Sequence, residues 1–288
     1  MSSHEKISGI LPIDSLYGKH AGETLFVIGT SFSLVDLDLS LIQSYTKIGI
    51  NRIVRRLPVD YLSISEVGAF KAVEPQVREQ RPTLLFYWAT GLELQKRGKL
   101  ADLSFCMVRM EDRDGHAINR RGQTGDFKWE EVPPSHPYYE NYTDTFPGKP
   151  LSRKRIAEPG HFNQDGLFLR SNSNCVYALE WAYRMLNDGK GTPGRVILLG
   201  IDMRNQPRRG SQPLTYIPEI NTMHILDTMV RLPPATRIIP HLRKARETMA
   251  EANIELLSGS PWDGPLDEFI PRRPLEEILN TNVATKTL

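Results

Sequence analysis

Three clusters of small polar residues in this chain have the types and spacing that binding a phosphate and a sugar would need. The first is Gly29-Thr30-Ser31-Phe32-Ser33, directly after the apolar run Leu25-Phe26-Val27-Ile28. A strand that ends in glycine and turns through hydroxyls presents backbone N–H groups, and a helix starting there would add orphan amides and a dipole that favour an anion. A dinucleotide-binding turn would carry a second and a third glycine at this place; this one carries hydroxyls. The plainer reading is a β-turn-α connection in which Ser31 or Ser33 only caps a helix. The second cluster is Asn51 in KIGINRI with Ser63 and Ser65 in YLSISE, at the ends of the next two apolar runs. The third is Arg170-Ser171-Asn172-Ser173-Asn174 before an amphipathic stretch, together with Gly200-Ile201-Asp202 closing RVILLGID. Its hydroxyls and amides suit a phosphate and its aspartate a ribose or base, although a long cap and a turn aspartate would look the same.

Residues so far apart in sequence can meet only if strands place them along one edge. Short apolar runs recur at Leu25–Ile28, Lys47–Ile50, Tyr61–Ile64, Leu84–Tyr87, Phe105–Val108, Val196–Leu199 and Ile254–Leu257. Runs of this length between polar or helical stretches are those of buried strands in a largely parallel sheet, which predicts an α/β, doubly wound fold. In such sheets polar groups at the strands' carboxyl ends line the ligand crevice. From Asn174, the positions Cys175, Val176, Ala178, Leu179, Ala182, Met185 and Leu186 form a helical stripe, stopped by Asn187-Asp188-Gly189. A second helix begins near Pro240, read as a first-turn residue, and carries Leu242, Ala245, Met249 and Ala252 toward the sheet.

Between these units, residues of about 111–169 and 203–239 show little periodicity and are read as lid insertions in a single domain spanning 1–288. With 288 residues and 40% hydrophobic content, the chain can bury a substantial core. A formal net charge of +2 indicates neither a polyelectrolyte nor a strongly basic nucleic-acid coat. Cys106 and Cys175 are too few for a disulfide framework or a zinc site, and the reducing cytoplasm is the expected compartment. No window approaches the roughly 18 apolar residues of a membrane span.

The order of these anchors resembles bacterial sialyltransferases of the lidded Rossmann-like type, and the wider group around the motility accessory factor glycosyltransferases. In those sialyltransferases one strand ends in a Gly-x-Gly-Pro-Ser-Leu turn and the next in Asn, a helix starts after Thr-Ser-Gly-Val-Tyr, and a strand ends in Gly-Ile-Asp. The matching segments here are Gly29-Thr30-Ser31-Phe32-Ser33-Leu34, Asn51, Ser173-Asn174-Cys175-Val176-Tyr177 and Gly200-Ile201-Asp202. A closing helix, strand and x-Pro element matches LRKARETMAEANIELLSGSP. The resemblance implies a doubly wound, mostly parallel Rossmann-like sheet with lids, and a metal-independent sugar transfer that needs no cofactor beyond its nucleotide-sugar co-substrate. Gly29, Ser31, Ser33 and Asn51 would meet donor phosphate or ribose, and Ser173 with Asn174 the phosphate or sugar. Thr30, Ser65, Gly200 and Asp202 complete the donor-side candidates along the strand tips. The implied base is a histidine after the second lid. His241 stands nearer the expected distance from Ser260-Pro261, and His224 falls within the lid itself. A histidine can take a hydroxyl proton at neutral pH because its ordinary pKa is about 6.5.

This chain departs from the pattern after Gly-Ile-Asp, where Arg204 stands at the first of two tyrosine positions. A guanidinium there could neutralise the leaving phosphate, and a nucleoside diphosphate sugar fits as well as a monophosphate sugar. The acceptor would be a glycan or another hydroxyl-bearing molecule. Arg120-Arg121, Arg153-Lys154-Arg155 and Arg208-Arg209, interleaved with Trp129, Tyr138, Tyr139 and Tyr142, extend that to a nucleic acid, although neighbouring acids largely balance them. Two other functions remain open. One is a magnesium-dependent pyrophosphokinase or phosphotransferase of the same fold group, using Asp202 and Asp36 on the metal. The other is a nucleotide- or nucleic-acid-binding protein without catalysis. A homo-oligomer is compatible with all three.

Overall fold

The computed structural model describes residues 9–11, 13–108, 110–111, 117–118, 139–140, 154–155, 174–202 and 235–281. Eight strands, β1 (Gly9–Ile10), β2 (Thr24–Ile28), β3 (Thr46–Ile50), β4 (Tyr61–Ile64), β5 (Thr83–Tyr87), β6 (Ser104–Val108), β7 (Gly194–Leu199) and β8 (Ile254–Ser258), form one sheet in the order β1-β6-β5-β4-β3-β2-β7-β8. Every adjacent pair is parallel. All seven apolar runs read from the sequence lie in strands, and β1, two residues at an edge, is an addition they did not signal. Near-continuous burial of β2, β3, β4 and β7 explains why they read as runs and not as alternations: both faces are covered. Leu25 and Val27 pack on one face, Phe26 and Ile28 on the other.

From β2 the chain winds outward through β6, then returns to the opposite side of β2 as β7 and β8. A right-handed crossover must change face when winding reverses. Helices α1 (Val67–Gln80) and α2 (Trp88–Lys96) accordingly contribute Phe70, Val73, Val77 and Leu94 to one layer, joined by α5 (Leu275–Asn280). Helices α3 (Asn174–Leu186) and α4 (Ala235–Glu251) fill the other layer with residues such as Leu179, Met185, Leu242 and Met249. The fold is therefore α/β, doubly wound and Rossmann-like, and its winding reverses between β2 and β7.

Two expectations change. The helix read from near Pro240 starts earlier, at Ala235, so Pro240 is an interior residue. As the sixth residue it lies past the four amides that lack helical partners, so its missing N–H removes one bond to the preceding turn. Helix α3 is buried on more than a stripe, from Cys175 through Leu186 without a break. That includes Glu180 and Arg184, paired at 2.8 Å, with Arg184 Nη1 donating to the Tyr17 hydroxyl at 2.9 Å. Burial pushes the Glu180 carboxyl up to about 8 against the opposing pull of Arg184. Arg184 is the partner that offsets part of the cost of burying this carboxyl.

Candidate functional site

The winding reverses between β2 and β7, the place beyond whose carboxyl ends doubly wound sheets bind ligands, and the backbone there is drawn tightly together. Gly29 N–H donates to the Leu199 carbonyl at 2.8 Å and Ser31 N–H to the Gly200 carbonyl at 3.0 Å. A Cβ on Gly29 would lie 2.2 Å from the Gly200 oxygen, a contact no side chain allows. Gly200 has φ +61°, and a Cβ there would meet Leu34 Cγ at 2.6 Å. The two glycines let strand tips touch. Thr30 and Ser31 are partly exposed on this turn. Ser31 stands at the cap of a short 3₁₀ turn, Phe32–Asp36, yet its hydroxyl makes no cap bond.

Beside the turn, Asp202 is buried and holds two other strand-tip segments together. Its Oδ1 accepts from Ser33 Oγ at 2.7 Å and from Ser260 Oγ at 2.9 Å. Ser33 is fully buried, so its hydroxyl serves this internal clamp. Ser260 Oγ also accepts the Trp262 backbone N–H at 3.2 Å, and the Trp262 indole donates from Nε1 to Asp36 Oδ2 at 2.8 Å. Asp202 and Asp36 thus each accept a hydrogen bond from the loop after β8. Sequence reasoning missed Ser260 and Trp262 as site residues; a hydroxyl at the tip of the last strand was the available signal.

On the other side of β2, Asn51 has left-handed backbone, φ 52°, which asparagine tolerates. Its N–H donates to the Ser63 carbonyl at 2.9 Å. Asn174, the first residue of α3, donates from Nδ2 to Asn51 Oδ1 and to the Ser63 carbonyl, each at 2.8 Å, and accepts the Ser63 hydroxyl at 2.7 Å. Three of the predicted positions, Asn51, Ser63 and Asn174, therefore meet. Ser65 is set further along, with its carbonyl accepting Thr90 Oγ1 at 2.9 Å. Arg52, also unremarked in the sequence, follows Asn51 at this edge; burial and then the neighbouring Arg55 lower its guanidinium pKa, opposed by Glu66.

Helix α4 runs back from the carboxyl edge between the parallel strands β7 and β8, which puts its N-terminal half at that edge. His241 lies there, 8% exposed, in register with the buried Ala245 and Thr248. Its Nδ1 is buried and has no hydrogen-bond partner among the described residues. Burial lowers its pKa, so the ring is neutral at pH 7. His224, Arg204 and Ser173 lie outside the described residues. Among the described residues no group of three or more His, Cys, Asp or Glu side chains is assembled to hold a metal ion, and no helix is long and apolar enough to cross a membrane.

No protein-family model, curated protein or solved structure matches the chain.

Proposed function

We propose that the chain is a glycosyltransferase that moves a sugar from a nucleotide-sugar donor to an acceptor hydroxyl, with His241 as general base. The observation that carries the reading is His241 itself: a buried imidazole whose Nδ1 has no hydrogen-bond partner among the described residues, on the helix that leads from the carboxyl edge of the sheet into β8. An unsatisfied buried nitrogen costs about 1–3 kcal/mol, and a reacting group would supply the missing partner. In the proposed step the acceptor oxygen bonds to the anomeric carbon as its proton passes to the imidazole. The bond from that carbon to the donor phosphate breaks, and the nucleotide leaves with the electron pair. Partly exposed Thr30 and Ser31 and half-buried Arg52 stand along the strand tips where donor phosphate and ribose would lie. Ser33, Asp202, Asn51 and Asn174 would act through one another, by fixing those tips.

The resemblance to lidded sialyltransferases supports the same reading through its ordered anchors. The phosphotransferase reading would place magnesium on Asp202 and Asp36; Asp202 is buried and accepts from the Ser33 and Ser260 hydroxyls, and Asp36 accepts the Trp262 indole N–H. The test is nucleotide release from a panel of nucleotide sugars. His241→Ala should lower turnover by roughly 10²–10⁴-fold with nucleotide affinity nearly intact; unchanged turnover removes His241 from the mechanism.

A further inference from the structure

The amino edge of the sheet, opposite the candidate site, carries a cluster of titratable side chains that the sugar transfer does not use. Residues 14–23, between β1 and β2, cross this edge as a strap. Gly18 N–H donates to the Arg184 carbonyl and His20 N–H to the Met185 carbonyl, each at 2.8 Å, so the strap covers the end of α3. His20 ties it to the sheet with both ring nitrogens: Nδ1 lies 2.9 Å from Glu23 Oε2, and Nε2 lies 2.8 Å from the Tyr61 hydroxyl. Glu23 Oε2 also accepts the Thr46 hydroxyl at 3.0 Å. Tyr61, the first residue of β4, is 4% exposed, and burial holds its hydroxyl above the ordinary pKa, so it keeps its hydrogen. A neutral ring satisfies both partners in one tautomer: Tyr61 donates to the unprotonated Nε2, and Nδ1–H donates to the Glu23 carboxylate.

Protonation turns Nε2 into a donor that faces the Tyr61 hydroxyl. Beside that hydroxyl stands Lys19, its Nζ 5.7 Å from the ring centroid, and an ammonium only donates. The buried hydroxyl hydrogen is then left without an acceptor among the described residues. The half-exposed Glu23 carboxylate does not offset that loss, because an ion pair in water is worth little. We propose that His20 is a pH-sensitive latch: neutral, it clasps residues 14–23 to the amino edge of the sheet, and charged, it releases them. The groups that face it are Asp14, Tyr17, Lys19 and Glu23 on the strap, and Asp60 and Tyr61 at the start of β4, with Lys47 paired to Asp60 at 3.4 Å. From β6 comes Cys106, and from α3 and the turn behind it come Glu180, Arg184 and Asp188. Burial pushes the Cys106 thiol up to about 12 and the Glu180 carboxyl up to about 8, so both hold their protons from pH 7 to 5. Histidine is the side chain whose charge ordinarily changes in that interval.

The experiment is amide hydrogen exchange of the full chain at pH 7 and pH 5, each corrected for the intrinsic exchange rate. The Gly18 and His20 amides report the strap, and the Gly29 amide, bonded to the Leu199 carbonyl, reports the sheet. On acidification, protection of the strap should fall roughly 10-fold or more relative to Gly29, the order of one lost buried hydrogen bond. The ratio should stay constant in His20→Gln, which carries no titrating ring. It should also stay constant in Tyr61→Phe, which keeps the buried ring and removes the hydroxyl hydrogen that the charged imidazole opposes. An unchanged ratio in the parent overturns the latch. So does an equal fall in His20→Gln, which places the titrating group elsewhere, or in Tyr61→Phe, which shows that the hydroxyl does not oppose the charged ring. His241 is present in the parent and both variants, so its own pH dependence cancels in the comparison.

Discussion

Asn174 and Asn51, 123 residues apart, are joined by a 2.8 Å hydrogen bond from the Asn174 amide to the Asn51 side-chain oxygen. The same amide holds the Ser63 carbonyl, so both of its hydrogens are used. One side chain at the start of α3 thereby fixes the tips of β3 and β4, the edge on which a ligand would rest.

A double-mutant cycle measures this bond. Asn174→Ala should destabilise the chain by about 1–3 kcal/mol because buried acceptors lose their donor. Asn51→Gly keeps the left-handed backbone and removes only the side chain, whereas Asn51→Ala adds roughly 1–2 kcal/mol of backbone strain. In urea denaturation the Asn51→Gly and Asn174→Ala losses should fall short of additive by at least about 0.5 kcal/mol. Strict additivity would mean that the two residues do not act as a pair.

Gly29→Ala separates packing from ligand binding. With the new Cβ 2.2 Å from the Gly200 oxygen, β2 and β7 must move apart, and the cost should reach about 3 kcal/mol or more without any ligand present. A variant as stable as the parent in thermal unfolding would show that the two tips do not touch as described.

His241 makes stability depend on pH in a definite direction. Its folded pKa lies below the unfolded value of about 6.5, so between the two values the unfolded chain binds more protons. Its contribution is complete above about pH 6.5 and is lost as pH falls through that window toward the folded pKa. Each unit of depression is worth about 1.36 kcal/mol. The stability difference between the parent and His241→Gln should therefore shift against the parent on acidification from pH 7.5 to 5. A difference that stayed flat would show His241 to be as accessible to protons folded as unfolded.

Seven of the eight strands and helix α3 were legible because burial on both faces or along a stripe imposes its period directly on the sequence. The two-residue period of any strand also determined which residues of β2 share a face once it formed. What the sequence could not give was the use of its polar residues. Ser33 and Asp202 read as ligand contacts, since a hydroxyl or carboxylate at a strand tip looks the same whether it meets a ligand or another side chain. Their 2.7 Å bond spans 169 residues and exists only because winding reverses between β2 and β7. The same reversal brings the loop after β8 to the turn after β2, where Ser260 and Trp262 meet Asp202 and Asp36 with a strand-tip hydroxyl as their one local signal. Local periodicity and turn chemistry thus determined the strands and where they end. Only the order in which the sheet assembles them decided which polar groups pair with each other and which, like His241 Nδ1, have no partner among the described residues.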